Sequence, residues 1–198
     1  MHGCCQNNAL HKSLVGATLP QGEFEIFHQE QQKKVHLSDY RGKWLILFFY
    51  PADFTFVCPT ELEDMANHYA EFTKAGAEVV SVSTDTVYVH KAWHDTSEAV
   101  KKINFPMLAD PTARLCRALG TYITDKGESL RATFIIDPDG VIQAYEINAN
   151  NLGRSAADTL RKLQAAAYVR EHGDEACPAK WKPGDKTLRP GLDLVGKI

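Results

Sequence analysis

The chain has 198 residues, 44% of them hydrophobic and 24% charged, which fits one globular domain with a single core and excludes disordered and fibrous classes. With 22 Lys plus Arg against 25 Asp plus Glu, a formal net charge of −3, there is no basic stripe to neutralise a phosphate backbone, so nucleic acid is not an expected partner. The longest apolar run, Trp44 to Tyr50, is far short of the ~20 residues of a membrane helix, and residues 1–20 lack the apolar stretch of a secretory signal, so the expectation is a cytoplasmic protein without membrane contact.

In chain order, the apolar segment Lys43 to Tyr50, stopped by Pro51, reads as a strand covered on both faces. Glu61 to Ala75 places Leu62, Met65, Ala66, Tyr69 and Phe72 at helical spacing and ends at Gly76, predicting a helix. Glu78 to Ser83 is short and β-branched, a second strand that completes a parallel crossover. A helix is expected over Val87 to Ile103, a strand over Phe105 to Leu108, and a short helix from Asp110-Pro111 to Leu119, stopped by Gly120. Arg131–Asp137 and Val141–Ile147 flank Pro138-Asp139-Gly140, the chemistry of a hairpin turn. A last helix is expected over Leu152 to Glu171, and the aperiodic, Pro- and Gly-containing stretch from Cys177 to Ile198 reads as an arm laid on another surface. The expected architecture is an α/β layered domain with a mixed sheet, divided into a flexible N-terminus (1–10), a main domain (11–171) and a C-terminal arm (172–198).

Five cysteines, Cys4, Cys5, Cys58, Cys116 and Cys177, are odd in number and unevenly spread, unlike a secreted disulfide scaffold; in a reducing compartment a cysteine in a special setting is more often reactive than structural. Pro51-Ala-Asp-Phe-Thr-Phe-Val-Cys58-Pro-Thr-Glu61 joins a buried parallel strand to a helix, where open α/β sheets place their sites. Cys58 is expected at the helix N-cap with Pro59 at N1 and Glu61 at N3, a capping-box pattern with a thiol in the Ser/Thr place. The positive end of the helix favours a thiolate nucleophile. Glu61, one turn away, opposes it, so a cation has to come from elsewhere. Arg131, at the head of an apolar strand, is the candidate; the alternative is a strand-end arginine in solvent. Thr55 offers a hydroxyl, either to a reacting group or as a loop cap.

Pro51-x-x-x-Thr55-x-x-Cys58 with Arg131 resembles the active-site signature of the peroxiredoxins, and Phe54-Thr-Phe-Val-Cys58-Pro-Thr-Glu61 is similar to their typical two-cysteine subclass. Gly42-Lys43-Trp44, Asp137-Pro-Asp-Gly140, Gly153-Arg154-Ser155 and the tail around Cys177-Pro-Ala-Lys-Trp181 extend the likeness, the tail toward the bacterial alkyl hydroperoxide reductase branch. The resemblance implies a thioredoxin-like (peroxiredoxin) fold with a mixed central sheet flanked by helices, and a thiol peroxidase acting on hydrogen peroxide and organic hydroperoxides. It implies that Cys58 attacks peroxide, that Thr55 and Arg131 hold the peroxide oxygens, that Pro51 shields the sulfenic acid and that Arg154 supports the site, the alternative for Arg154 being a cap of the final helix. It also implies Cys177 as the resolving thiol of an intersubunit disulfide, a homodimer assembling to a decameric ring, no bound cofactor, and a flavoprotein disulfide reductase or thioredoxin as electron donor. A chaperone-like ring and a thiol-disulfide oxidoreductase are the competing readings; the latter lacks a second cysteine two residues from Cys58. Oxidation-sensitive members carry a Gly-Gly-Leu-Gly loop and a Tyr-Phe tail, where this chain has Asp125-Lys-Gly-Glu128 and ends at Ile198.

Three further features carry weaker expectations. Cys116 reads as a small core residue, and Cys4 and Cys5 with His2 as a flexible end rather than a zinc site. His90 and His94 form an i, i+4 pair that could face a metal, but no third ligand is apparent and Trp93 argues for packing or exposure.

Overall fold

In a computed structural model, which describes residues 13–197, every residue of Trp44–Phe49 is buried. Around this strand the order of elements is β1 (Glu23–His28), β2 (Gln31–His36), β3 (Trp44–Phe49), α1 (Cys58–Asn67), α2 (Tyr69–Lys74), β4 (Ala77–Ser83) and α3 (Val87–Thr96). There follow β5 (Met107–Ala109), α4 (Arg114–Ala118), β6 (Tyr122–Ile123), β7 (Glu128–Ser129), β8 (Arg131–Ile136), β9 (Ile142–Asn148) and α5 (Ala156–Glu171). Among the described residues, seven strands form one sheet in the order β2-β1-β5-β4-β3-β8-β9, and β6 pairs with β7 in a separate two-stranded sheet. β3, β4 and β5 run parallel, while β8 is antiparallel to β3 and to β9, and β1 is antiparallel to β5 and β2. The parallel crossover, the hairpin and the mixed sheet are as the sequence implies.

Alternate β3 side chains serve two cores, which is why the strand tolerates no polar residue. Ile46 and Phe48 pack with Leu62 and Met65 of α1, Phe72 of α2, Trp93 of α3 and Leu160 and Leu163 of α5. Leu45, Leu47 and Phe49 face the other side, with Leu115 and Cys116 of α4 and Leu37. Each fully buried apolar side chain is worth about 1.5–3 kcal/mol. Cys58 belongs to the first core, so its thiol starts from a dry, packed position. Among the described residues, no helix is long and apolar enough to cross a membrane.

Several boundaries differ from expectation. The hairpin β1–β2 has no sequence signature, because β2 is an exposed edge strand of Gln and Lys and its turn places Gln29 and Glu30 at positive φ, where Asn-Gly would normally be the sign. The helix expected over 61–75 is two helices broken at His68, whose φ of −97° and ψ of 1° leave the helical region. The helix from Val87 stops at Thr96, and Val100–Lys102 forms only a 3-10 turn. The strand expected over 105–108 occupies Met107–Ala109, and α4 begins at Arg114 because Ala113 takes a left-handed φ of 53°. The last helix starts at Ala156, capped by the Ser155 hydroxyl, and leaves Leu152 in solvent. The arm lies on its own chain: Trp181 is 3% exposed, its ring centroid is 5.0 Å from that of Tyr168 of α5, and Ala176 bridges to Leu188. The expectations for residues 1–10, including His2, Cys4 and Cys5, fall outside the described residues.

Candidate active site

β3 ends at Phe49, and the following loop runs into α1 at the carboxyl edge of the parallel strands. Cys58 is the first helical residue, not the N-cap: Val57 before it already has helical φ and ψ of −82° and −35°. The Val57 carbonyl accepts the amides of Thr60 and Glu61 at 3.1 and 3.2 Å. No capping box closes, because the Glu61 carboxylate turns away from the helix start toward two guanidinium groups, which bind it more strongly than a single amide would.

Those groups are Arg131 and Arg154. Arg131 opens β8 and is 3% exposed, which excludes the solvent alternative. Its Nη1 lies 2.7 Å from Glu61 Oε2 and 3.3 Å from Cys58 Sγ, and its Nε donates to the Asn150 carbonyl at 2.9 Å. Burial works against the Arg131 charge, but hydrogen bonding and attraction to Cys58 and Glu61 outweigh it and hold the guanidinium above its ordinary range.

Arg154 is not the cap of α5, since Ser155 fills that position. Its Nε donates to Glu61 Oε1 at 2.9 Å and its Nη2 to Oε2 at 3.1 Å, and its backbone amide adds 2.8 Å to Oε1. Further bonds reach the carbonyls of Ala132 at 2.6 Å and Phe49 at 2.9 Å and the Thr133 hydroxyl at 3.1 Å. The guanidinium carbon stands 3.5 Å from the Phe48 ring centroid, a cation–π contact. Burial lowers Arg154 below the usual arginine range, with Glu61 opposing that shift; arginine remains a cation at neutral pH. Two cations thus flank one carboxylate, and the surplus positive charge faces the Cys58 sulfur. Gly153 lies against this cluster: a Cβ there would be in ordinary van der Waals contact, 3.4 Å from Val57 Cγ1 and 3.9 Å from the Glu61 side chain.

Thr55 sits in the loop with its hydroxyl donating to the Ala52 carbonyl at 2.8 Å, so the loop-capping bond is formed and only the oxygen lone pairs remain to accept. Pro51 is buried at the start of the same loop. Cys58, Cys116 and Cys177 are free thiols. Cys177 is partly buried, its sulfur 3.9 Å from the Ala165 carbonyl of α5, and burial together with Glu175 raises its thiol above the ordinary range. Cys116 is a core residue, fully enclosed, with burial and Asp110 pushing its thiol up to about 12.

His90 and His94 do not share a ligand. His90 is buried against Asp53, whereas Nδ1 of His94 lies 3.7 Å from Glu30 Oε1 and 4.0 Å from Asp95 Oδ1, and the Lys91 ammonium bridges those two carboxylates. Sequence reading singled out His90 but not its partner Asp53, which lies in the loop that leads to Cys58. The signal available was a charged residue in a stretch bounded by a buried strand.

Residues 15–145 match the AhpC/TSA family, and residues 165–193 match the C-terminal domain of 1-Cys peroxiredoxin; within that second stretch this chain carries Cys177. The chain is 51% identical over 186 residues to alkyl hydroperoxide reductase C of Salmonella typhimurium, a match covering 94% of this chain and 100% of that protein. It is 52% identical over 170 residues to alkyl hydroperoxide reductase C of Staphylococcus epidermidis, covering 86% and 90%. Among solved structures, Enterococcus faecalis AhpC superposes with a TM-score of 0.82 at 48% identity, covering 84% of this chain and 100% of that one. The reduced 2-Cys peroxiredoxin of Plasmodium vivax does so with a TM-score of 0.88 at 30% identity, covering 92% and 96%. From the family match over most of its length and from these relatives, the chain belongs to the AhpC/TSA family of peroxiredoxins, the thiol-dependent peroxidases.

Proposed function

We propose that Cys58 is the nucleophile of this peroxidase and that Cys177 of a second copy resolves it. The observation that carries this reading is the Arg131 guanidinium 3.3 Å from the Cys58 sulfur. The Cys58 thiolate attacks one peroxide oxygen; the O–O bond breaks, and its electron pair leaves on the distal oxygen, which takes a proton to become water or an alcohol. The oxygen left on sulfur makes a sulfenic acid. A Cys177 thiolate then attacks that sulfur and expels hydroxide, protonated to water, which gives a Cys58–Cys177 disulfide.

In this scheme Arg131 stabilises both the thiolate and the negative charge on the departing oxygen, as oxyanion donors do. Glu61 and Arg154 hold Arg131 in place, Thr55 accepts a hydrogen bond from the peroxide, and Pro51 limits water at the sulfenic acid. Two electrons from a reductase restore both thiols; we assign this to an NADH-dependent flavoprotein disulfide reductase, with thioredoxin as the alternative. The protein works as a homodimer assembling to a decameric ring, in the cytoplasm, where reducing conditions return Cys58 and Cys177 to thiols. Residues 11–171 form the peroxidase domain and 172–198 the arm that delivers Cys177.

The test is turnover with each donor supplied separately. Cys58→Ser is expected to abolish peroxide consumption, and Cys177→Ser to consume about one equivalent and stall for want of a resolving thiol. Non-reducing gels after peroxide should show a dimer that Cys177→Ser removes. Sustained turnover in Cys58→Ser would overturn the assignment, and a monomer-sized disulfide would place resolution within one chain.

A further inference from the structure

A second buried hydrogen-bonded pair of side chains underlies the catalytic loop, separate from the Glu61 cluster. The side chains of Asp53 and His90 are both 0% exposed, with Asp53 Oδ2 2.7 Å from His90 Nδ1. His90 Nε2 lies 3.2 Å from the Leu108 carbonyl of β5, so each ring nitrogen faces an acceptor. Both bonds are made only when Nε2 carries a hydrogen and a proton lies between Nδ1 and Oδ2. The other Asp53 oxygen accepts from the Tyr50 hydroxyl at 2.7 Å, and the Asp53 amide donates to Asp85 Oδ2 at 2.8 Å. Asp85 is in turn held by the Ser83 hydroxyl at 3.0 Å.

The placement of these bonds matters more than their number. Among the described residues, Asp53 is the one member of 51–57 that forms hydrogen bonds with neighbouring elements beyond the loop and α1; the Thr55 hydroxyl bonds within the loop, and the Val57 carbonyl caps α1. His90 therefore joins α3 and β5 to the midpoint of the segment that carries Pro51, Thr55 and Cys58. Trp93, one turn along α3, adds ring contacts of 6.0 Å to both Tyr50 and Phe54, and Phe54 holds a positive φ of 56°. A non-glycine residue in that region stays there only when its surroundings over-determine it. Asp53 next to it supplies that constraint.

We propose that Asp53 and His90 are positioning residues that hold the loop in the conformation in which Cys58 meets peroxide, and so set the partition between peroxide reaction and disulfide formation. This rests on the reading of Cys58 as the peroxide nucleophile. Resolution requires Cys58 to leave its core, and local opening is easiest where few bonds hold an element. Loosening the pair therefore slows the peroxide step, which needs the closed loop, and speeds disulfide formation, which needs the open one. A residue that served only stability would not move the two steps in opposite directions.

The test uses single-turnover kinetics of the full-length protein, reading the peroxide step and the disulfide step separately. His90→Asn places its amide nitrogen where Nδ1 was and keeps the bond to Asp53; His90→Gln places it where Nε2 was and keeps only the bond to Leu108. In His90→Gln and Asp53→Asn the peroxide step is expected to slow by roughly tenfold or more, the scale of a lost hydrogen bond to a charged group, while disulfide formation accelerates; His90→Asn stays close to wild type in both. Tyr50→Phe, which removes one hydroxyl from Asp53 without emptying the core, should give the same opposed shifts to a smaller extent and keeps the test open if a His90 variant folds poorly. Asn and Gln variants that behave alike, or two rates that fall together, overturn the inference while leaving the function intact. Absence of peroxide reaction at Cys58 in the wild-type protein overturns both.

Discussion

Nη1 of Arg131 lies 3.3 Å from the sulfur of Cys58, and the same nitrogen binds Glu61 Oε2 at 2.7 Å. The carboxylate whose charge opposes a thiolate is thus the anchor for the cation beside it. Glu61 carries one negative charge and touches two arginines, so the three side chains sum to one positive charge, which a Cys58 thiolate neutralises. In a site closed to water such a balance is felt strongly, since screening is weak.

Replacing Arg131 by Met removes the only guanidinium bonded to the sulfur. The peroxide rate should fall about 10²–10³-fold, as when one oxyanion donor is deleted, and iodoacetamide alkylation of Cys58 near neutral pH should slow because less thiolate is present. Arg154→Met should act differently. Arg154 has no bond to the sulfur but six side-chain and main-chain bonds to Glu61, Phe49, Ala132 and Thr133, one of which its amide retains. Breaking that buried pair should cost about 3–5 kcal/mol of stability, read by urea denaturation. An Arg154 variant as stable as wild type would place the weight of Glu61 on Arg131 alone.

Thr55 separates the loop cap from the chemistry. Its hydroxyl proton is committed to the Ala52 carbonyl at 2.8 Å, so in the proposed mechanism it would meet peroxide as an acceptor. Thr55→Val keeps the shape and removes both that acceptor and the bond to Ala52, and the peroxide rate should drop by about fivefold, the equivalent of ~1 kcal/mol for a neutral hydrogen bond, while urea stability changes less than that. Thr55→Ser should retain the rate. Equal rates in all three proteins would reduce Thr55 to a cap.

The parts of this site legible in sequence are those fixed by local pattern. A cysteine followed by proline after a buried strand marks a helix start, and an arginine heading an apolar strand is a candidate cation whose burial only the structure decides. Arg154 had no such signature, because Gly-Arg-Ser before a helix reads equally well as a cap; its role depends on Glu61, which is 93 residues away. The pairing of Asp53 with His90 spans 37 residues, and the visible pattern, His90 with His94, pointed to the wrong partner. The fold shows the same limit. β3 is legible because burial on both faces writes itself into every position, whereas β2 is an exposed edge and the break at His68 carries neither Gly nor Pro.

Burial and the nearby Glu175 raise the Cys177 thiol above its ordinary range while the arm is folded. Glu175 also fastens the arm, accepting the Tyr168 hydroxyl at 2.8 Å and that of Thr187. In reduced Cys58→Ser protein, thiol labelling of Cys177 should therefore be slow at neutral pH and rise only at a pH above that of a free cysteine. Glu175→Gln removes the negative charge and weakens the fastening, and both effects move the labelling midpoint downward. A midpoint unchanged by Glu175→Gln would mean that burial alone governs this thiol.

Overoxidation tests whether the site opens readily. Oxidation-sensitive relatives cover the helix start with a Gly-Gly-Leu-Gly loop and a Tyr-Phe tail; here residues 124–127 form only the turn between β6 and β7, tied to the β4–α3 loop by one bond from the Thr84 hydroxyl to the Gly127 carbonyl at 2.9 Å. The far end of the arm gives no cover either, since Leu192 is 93% exposed and Val195 74%. Few apolar contacts hold these segments, so opening at Cys58 should be frequent and disulfide formation should outrun a second peroxide attack on the sulfenic acid. Intact mass after repeated turnover in millimolar peroxide should show little addition of two oxygens in the wild type. Cys177→Ser, with no thiol to intercept the sulfenic acid, should accumulate that sulfinic product. Equal accumulation in the two proteins would show that the loop and tail do not release Cys58 fast enough for resolution to win.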